Sequence, residues 1–168
     1  VSVAKRRTRI IHRRRSHTMA QLLIIAHAPL ASALAEVAAH TFPDCAVRLQ
    51  ALDVPPDMAP EEVQLRAAAL LPSAEPKDTL ILTDVFGATP CNAAQRLADG
   101  VRVRVVAGVN VPMLWRTLCY ANEPLDALVT RAMAGATQGV MQASASRPQQ
   151  QARSAGPEDA EDQRHHHQ

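Results

Sequence analysis

The chain has 168 residues, enough for one domain around a single core. Apolar residues make up 47% of it but aromatic residues only 2%, so aliphatic side chains are expected to build that core. Residues 1–18 hold seven Lys/Arg and no acid, which leaves eleven basic and sixteen acidic residues elsewhere, a net charge of −5 that gives a nucleic-acid partner little electrostatic support.

Strands and helices are predicted to alternate along the chain. Short apolar runs indicate buried strands, and apolar residues three and four apart indicate helices. In chain order the pattern predicts a strand at 21–26, a helix at 29–40, a strand at 46–52, a helix at 60–71, a strand at 79–83, a helix at 91–98, a strand at 101–107 and helices at 112–120 and 125–141. The short connections imply an α/β fold: an open, mainly parallel four-stranded sheet with helices on both faces.

The two ends of the chain lie outside this pattern. Residues 1–18 are expected to be a basic disordered arm or translated upstream sequence before a true start at Met19. Residues 143–168 are polar, end in histidines and are expected to form a disordered tail, which leaves 19–142 as the domain. A cleaved secretory signal within 1–35 is a competing interpretation, but cleavage would remove the first strand.

The cysteines and the apolar runs limit the setting of the protein. Cys45, Cys91 and Cys119 are an odd, widely spaced set without a C-x-x-C pair, which argues against a disulfide framework or a zinc site. No run of eighteen apolar residues is present, so direct membrane insertion is not expected. We expect a cytoplasmic protein without a metal or other cofactor.

Two polar residues come directly after predicted strands. His27 follows the strand at 21–26, and Asp84 follows the strand at 79–83. The carboxyl ends of parallel strands meet at one edge of the sheet, where such folds bind ligands. A carboxylate that accepts from one imidazole nitrogen leaves the other nitrogen's lone pair able to attack. The pattern predicts a catalytic pair, His27 and Asp84, although either residue alone could be a packing or turn-capping residue.

The loops at this edge favour binding of an oxyanion such as phosphate. Gly87 lets a ligand approach the backbone, and Thr89 offers a hydroxyl. The helix starts near Pro29 and Pro90 are both expected to face the site with their N–H groups. The chain has no G-x-x-x-x-G-K-[ST], G-x-G-x-x-G or G-x-S-x-G motif, so P-loop, dinucleotide and serine-hydrolase interpretations lack support.

Four blocks of sequence surround these loops: LIIAH at 23–27, a proline-containing loop at 52–60, LILTDVFGATPCNAA at 80–94 and VAGVNVPML at 106–114. Together they resemble the mannose-family IIA domain of the bacterial phosphoenolpyruvate-dependent sugar phosphotransferase system. The resemblance runs from about 19 to 141. The phosphotransfer subunit of dihydroxyacetone kinase is less similar, because its loop after the third strand usually lacks the F-G-x-x-P-x-N-A-A pattern of 86–94.

The resemblance implies a phosphohistidine intermediate. In the family, the histidine at the position of His27 takes phosphate from the phosphocarrier protein HPr and passes it to a IIB component, and the aspartate at the position of Asp84 orients it. The implied partners include a second copy in a homodimer with an exchanged edge strand, and a IIC/IID permease with which the protein associates peripherally. The implied phosphate- and partner-binding residues are Ala28, Phe86, Gly87, Ala88, Thr89 and Asn92.

Two departures from the family pattern affect these loops. The family usually has glycine at the positions of Ala28 and Ala88, and alanine disfavours positive φ, so phosphate transfer could be slowed. A regulatory module that binds a partner according to the phosphorylation state of His27, without coupling to sugar transport, is therefore the alternative function. Segment 129–141 also stays open between the exchanged strand and a plain helix.

Overall fold

The computed structural model describes residues 19–72 and 77–143. The expectations for 1–18 and for the tail after residue 143 lie outside these residues, so the proposed domain limits stay predictions. Ten elements follow one another: β1 (Gln21–His27), α1 (Leu30–Thr41), α2 (Pro43–Ala46), β2 (Leu49–Val54), α3 (Pro60–Leu70), β3 (Thr79–Thr83), α4 (Thr89–Leu97), β4 (Val103–Ala107), α5 (Val111–Cys119) and α6 (Leu125–Gln138).

The strands form one open parallel sheet, which confirms the predicted fold class. Their order is β2-β1-β3-β4, so β1 is central and pairs with β2 and β3. Ile25 is in register with Leu52 of β2 and with Thr83 of β3. Residues 22–26 of β1 are at most 1% exposed, as a continuous apolar run predicts for a strand covered on both faces.

Helices cover both faces of this sheet and bury two aliphatic clusters. On one face, α1, α5 and α6 pack on the side chains of Leu22, Ile24 and Leu82. On the other face, α3 and α4 pack on Leu23, Ile25 and Ile81. Full burial of one such side chain contributes about 1.5–3 kcal/mol, so the alternation along β1 and β3 fixes which residues face each helix layer.

The C-terminal part of the described chain is helical. Between the two possibilities left open for 129–141, the structure shows a helix through Gln138.

The sequence patterns missed the short helix α2, which begins at Pro43. None of its residues is buried, so it has no apolar periodicity to detect. Among the described residues, no helix combines the length and apolarity needed to cross a bilayer.

Helices α5 and α6 approach each other closely at Gly135. A methyl group added there would lie 2.7 Å from Arg116 Cβ and 2.9 Å from the backbone oxygen of Pro112. Both distances are below ordinary van der Waals contact, and one of the neighbours is backbone. The absence of a side chain at this position therefore sets the spacing of the two helices.

We predict that Gly135→Ala lowers the free energy of unfolding by about 1–3 kcal/mol through overpacking, measured by urea denaturation. Met133→Ala, at an exposed position of the same helix, should stay within about 0.5 kcal/mol of wild type. A Gly135→Ala variant that is as stable as wild type or more stable, as helix propensity alone would give, would contradict this packing.

Candidate active site

His27 and Asp84 lie side by side at the carboxyl edge of the sheet. His27 is the last residue of β1, and Asp84 directly follows β3, its parallel neighbour. Asp84 Oδ2 is 2.7 Å from His27 Nδ1 and also accepts a 2.9 Å hydrogen bond from the His27 backbone N–H. The side chain and the backbone of one residue thus meet the same carboxylate oxygen.

The Asp84 carboxylate is held in place from several directions. Its Oδ1 accepts a 2.8 Å hydrogen bond from the Val85 N–H, and only 8% of its side chain is exposed. Burial acts to raise the pKa of Asp84, but the hydrogen bonds from the His27 N–H, the His27 ring and the Val85 N–H outweigh it and lower that pKa. The carboxylate is therefore ionised at neutral pH and accepts the proton on His27 Nδ1.

The His27 ring is accessible on its other side. Half of its side-chain surface is exposed, in contrast to that of Asp84. Because Nδ1 donates to the carboxylate, Nε2 carries the lone pair in the neutral ring. The pair therefore presents an oriented nucleophilic nitrogen at the surface.

The loop after Asp84 turns sharply at Gly87. The Ala88 N–H donates to the Val85 oxygen over 3.2 Å, and Gly87 has φ +83°, which favours glycine. Asn92 of α4 donates from Nδ2 to the Gly87 oxygen over 2.9 Å. Asn92 thus braces the turn from within, and this bond occupies one of its amide protons.

Helix α4 begins at this turn without a side-chain cap. Its N-cap is Ala88, whose side chain has no oxygen, and Pro90 in the first turn has no N–H. The first intrahelical bond runs from the Asn92 N–H to the Ala88 oxygen, so the Thr89 and Cys91 N–H groups come before the helical ladder. Such an N-terminus attracts an anion through its amides and its dipole.

Helix α1 differs from α4, because one amide in its first turn already has a carboxylate acceptor. The Ser32 N–H in the first turn of α1 donates to Asp53 Oδ1 over 3.1 Å. Asp53 lies in β2, so a carboxylate from a neighbouring strand supplies the cap that Pro29 lacks. Sequence reasoning missed this role of Asp53, although its place at the end of the second strand was a usable signal.

The loop between β4 and α5 supports the end of β3 and Asp84 through its backbone amides. The Gly108 N–H donates to the Asp84 oxygen over 2.7 Å, and the Val109 N–H donates to the Thr83 oxygen over 2.9 Å. Gly108 has φ +90°, and Asn110 caps α5 by accepting from the Met113 N–H at 2.8 Å. These two bonds anchor the end of β3.

Two further residues singled out from the sequence, Ala28 and Phe86, lie in the loops that follow His27 and Asp84. The Ala28 N–H donates to the Val54 oxygen over 3.0 Å, which ties the loop after β1 to β2. Phe86 is 77% exposed and next to Val85, which is also exposed. Among the residues the structure describes, no three His, Cys, Asp or Glu side chains are grouped to hold a metal ion.

A family model described as "PTS system fructose IIA component", EIIA-man, matches residues 21–133. The chain therefore belongs to the mannose-type family of IIA components of the sugar phosphotransferase system. It is 40% identical over 67 residues to the "PTS system mannose-specific EIIAB component" of Escherichia coli (strain K12), a match that covers 38% of this chain and 21% of that relative. The match thus spans about a fifth of the relative's length.

Solved structures show the same fold. The "Mannose/sorbose specific IIA subunit of phosphotransferase system" from Enterococcus faecalis superposes with a TM-score of 0.70 at 23% identity, covering 77% of this chain and 98% of that one. "Phosphotransferase system component EIIA" from Streptococcus agalactiae gives 0.66 at 20% identity, covering 74% and 97%. At these identities the likeness concerns the architecture.

The lowered pKa of Asp84 makes a prediction about stability and pH. Its ionised form is favoured in the folded protein, so its contribution is complete above the unfolded value of about 3.9 and is lost as pH falls through the folded pKa. Asp84→Asn removes the contribution of the ionised carboxylate to the free energy of unfolding. We predict that the difference in free energy of unfolding between wild type and this variant shrinks below about pH 4.

Urea denaturation from pH 3 to pH 7 measures this difference. Asp57→Asn, in an exposed loop, serves as the control and should remain within about 0.5 kcal/mol of wild type at neutral pH. A wild-type advantage over Asp84→Asn that is the same at pH 3 and pH 7 would show that the carboxylate charge is not responsible.

Proposed function

We propose that His27 is the phosphoryl carrier of this IIA component, accepting phosphate from HPr and passing it to a IIB component. The observation that supports this most directly is the hydrogen bond from His27 Nδ1 to Asp84 Oδ2, with the ring half-exposed on its other side. A buried, ionised partner fixes the ring, and Nε2 is left to react. On this proposal the protein is a protein-histidine phosphotransferase.

The reaction needs alignment more than proton transfer. The lone pair of His27 Nε2 attacks the phosphorus of the donor phosphohistidine in line. A new N–P bond forms while the N–P bond of the donor breaks, and its electron pair returns to the donor imidazole. Asp84 keeps the Nδ1 proton in place throughout and stabilises the positive charge that the ring gains. Transfer to IIB runs through the same steps in the opposite sense.

The phosphoryl oxygens are proposed to lie toward α4. The Thr89 and Cys91 N–H groups precede the helical ladder there, and no side-chain cap competes for them among the described residues. The Thr89 hydroxyl and the open backbone at Gly87 add a donor and room for close approach. These groups stabilise the negative charge spread over the oxygens in the transition state.

Of the two alanines that replace family glycines, Ala88 has a backbone conformation that is compatible with this chemistry. Ala88 has φ −80° and ψ 168°, an extended conformation that any residue adopts. The positive φ of the loop falls on Gly87, where glycine is retained. The backbone at 88 therefore does not require glycine, which supports transfer through this loop.

Partners are proposed to dock around the exposed apolar side chains of the same loop. Phe86 and Val85 follow Asp84 directly, and both are largely exposed. Apolar side chains at the rim of a reactive group favour a protein that must bring its own histidine within bonding distance. HPr and IIB fit this role in turn. A homodimer, peripheral association with a IIC/IID permease and a cytoplasmic location complete the proposal.

We predict that His27→Ala abolishes phosphorylation by phosphoenolpyruvate, enzyme I and HPr. Intact-protein mass spectrometry at neutral pH should show one added phosphate on wild type and none on the variant. His40→Ala, at an exposed position of α1, is the matched control and should be phosphorylated as wild type is. Labelling of His27→Ala would refute the assignment.

We also predict that Asp84→Asn slows phosphate uptake by about 10²-fold or more, because a neutral amide no longer supplies the negative charge that holds the Nδ1 proton and stabilises the charge that the ring gains. Quenched-flow mass spectrometry with limiting HPr measures the rate. An unchanged rate would contradict the role given to Asp84. Phosphorylation of wild type without onward transfer to any IIB component would favour the regulatory binding module.

A further inference from the structure

β1 is flanked by a carboxylate on each neighbouring strand. Asp84 follows β3 on one side, and Asp53 near the end of β2 lies on the other. Asp53 is in register with Ala26, the residue directly before His27, and adjacent parallel strands lie about 4.8 Å apart. Carboxylates therefore lie on both strands that flank the end of β1, and of the two only Asp84 has a hydrogen bond to the His27 ring.

Asp53 instead accepts a hydrogen bond from the first turn of α1. Pro29, the N-cap of α1, makes no side-chain cap bond, and the first helical bond runs from the Ala33 N–H to the Pro29 oxygen. The Ser32 N–H would lack an acceptor without Asp53 Oδ1 at 3.1 Å. A carboxylate at this position satisfies the amide and opposes any further anion at this helix end.

The two helices at the edge thus have opposite character. The first turn of α4 carries no side-chain cap, whereas the first turn of α1 holds a carboxylate. A phosphoryl group on His27 adds about −1.5 to −2 charge at neutral pH. This group is attracted by the N-terminus of α4 and repelled by the Asp53 carboxylate at the N-terminus of α1.

Building on the proposed function, we infer that Asp53 is a positioning residue that directs the phosphoryl group on His27 toward α4. Its charge also weakens the phosphorylated state relative to the free one. The phosphoryl group therefore passes on to the acceptor more readily than it would if α1, like α4, had no carboxylate at its N-terminus. Asp53 acts through the electric field and through α1, without touching the reacting atoms.

Asp53→Asn tests this inference, because an amide oxygen still accepts from the Ser32 N–H while the charge is lost. The measurement is the equilibrium constant for phosphate exchange with HPr, obtained by mass spectrometry at fixed ratios of phosphorylated to free HPr. We expect the constant to rise roughly threefold to tenfold, the effect of one unit charge within about 10 Å in a partly solvated setting. Asp53→Ser, a second neutral acceptor, should give the same direction if the Asn variant folds poorly.

Three comparisons separate a charge effect from a structural one. Asp44→Asn, in α2 and without a contact to the site, carries the same charge change and should leave the constant at the wild-type value. Asp53→Glu keeps the charge and should return the constant toward wild type. Between 0.05 M and 1 M salt the difference between wild type and Asp53→Asn should shrink, since screening tightens from more than 10 Å to about 3 Å.

The outcomes are distinguishable from those of the proposed function. A wild-type protein that takes no phosphate from HPr overturns both the function and the role of Asp53. Wild-type phosphorylation with the same exchange constant in Asp53→Asn and Asp44→Asn overturns the role of Asp53 alone. A rise confined to the variants that lack the charge at 53, and reduced by salt, supports it.

Discussion

The hydrogen bonds between Asp84 and His27 are the interaction on which the rest of the site depends. One carboxylate oxygen accepts from both the ring and the backbone N–H of His27, and the other accepts from Val85. The carboxylate is buried, yet these bonds lower its pKa. The backbone bonds hold the charge in place, and the ring bond adds to them only when the histidine stands in one orientation, so ring geometry contributes to local stability.

The sheet places this pair with little freedom. β1 and β3 are adjacent and parallel, so their carboxyl ends coincide, and the aliphatic clusters on both faces prevent either strand from slipping. The loop after β4 then ties the ends of β3 through the amides of Gly108 and Val109. The site therefore combines rigid strand ends with two glycine-containing loops, in which Gly87 and Gly108 have positive φ.

Much of this arrangement was predictable from the sequence because it rests on local patterns. The apolar runs of β1 and β3 predicted buried parallel strands, and the residues just after them predicted that His27 and Asp84 share an edge. The capping of α1 by Asp53 was missed, because the place of Asp53 at the end of the second strand indicates the edge of the sheet but not which helix amide its carboxylate accepts from. Helix α2 was missed because four residues without a buried side chain give no periodicity.

The central claim is that Asp84 holds the Nδ1 proton so that His27 reacts through Nε2. Long-range ¹H–¹⁵N correlation spectra of ¹⁵N-histidine-labelled protein, recorded after phosphorylation by HPr, identify which ring nitrogen carries phosphorus. The account predicts phosphorus on Nε2 of His27, with Nδ1 protonated and hydrogen-bonded. Phosphorus on Nδ1, or on another histidine, would contradict it.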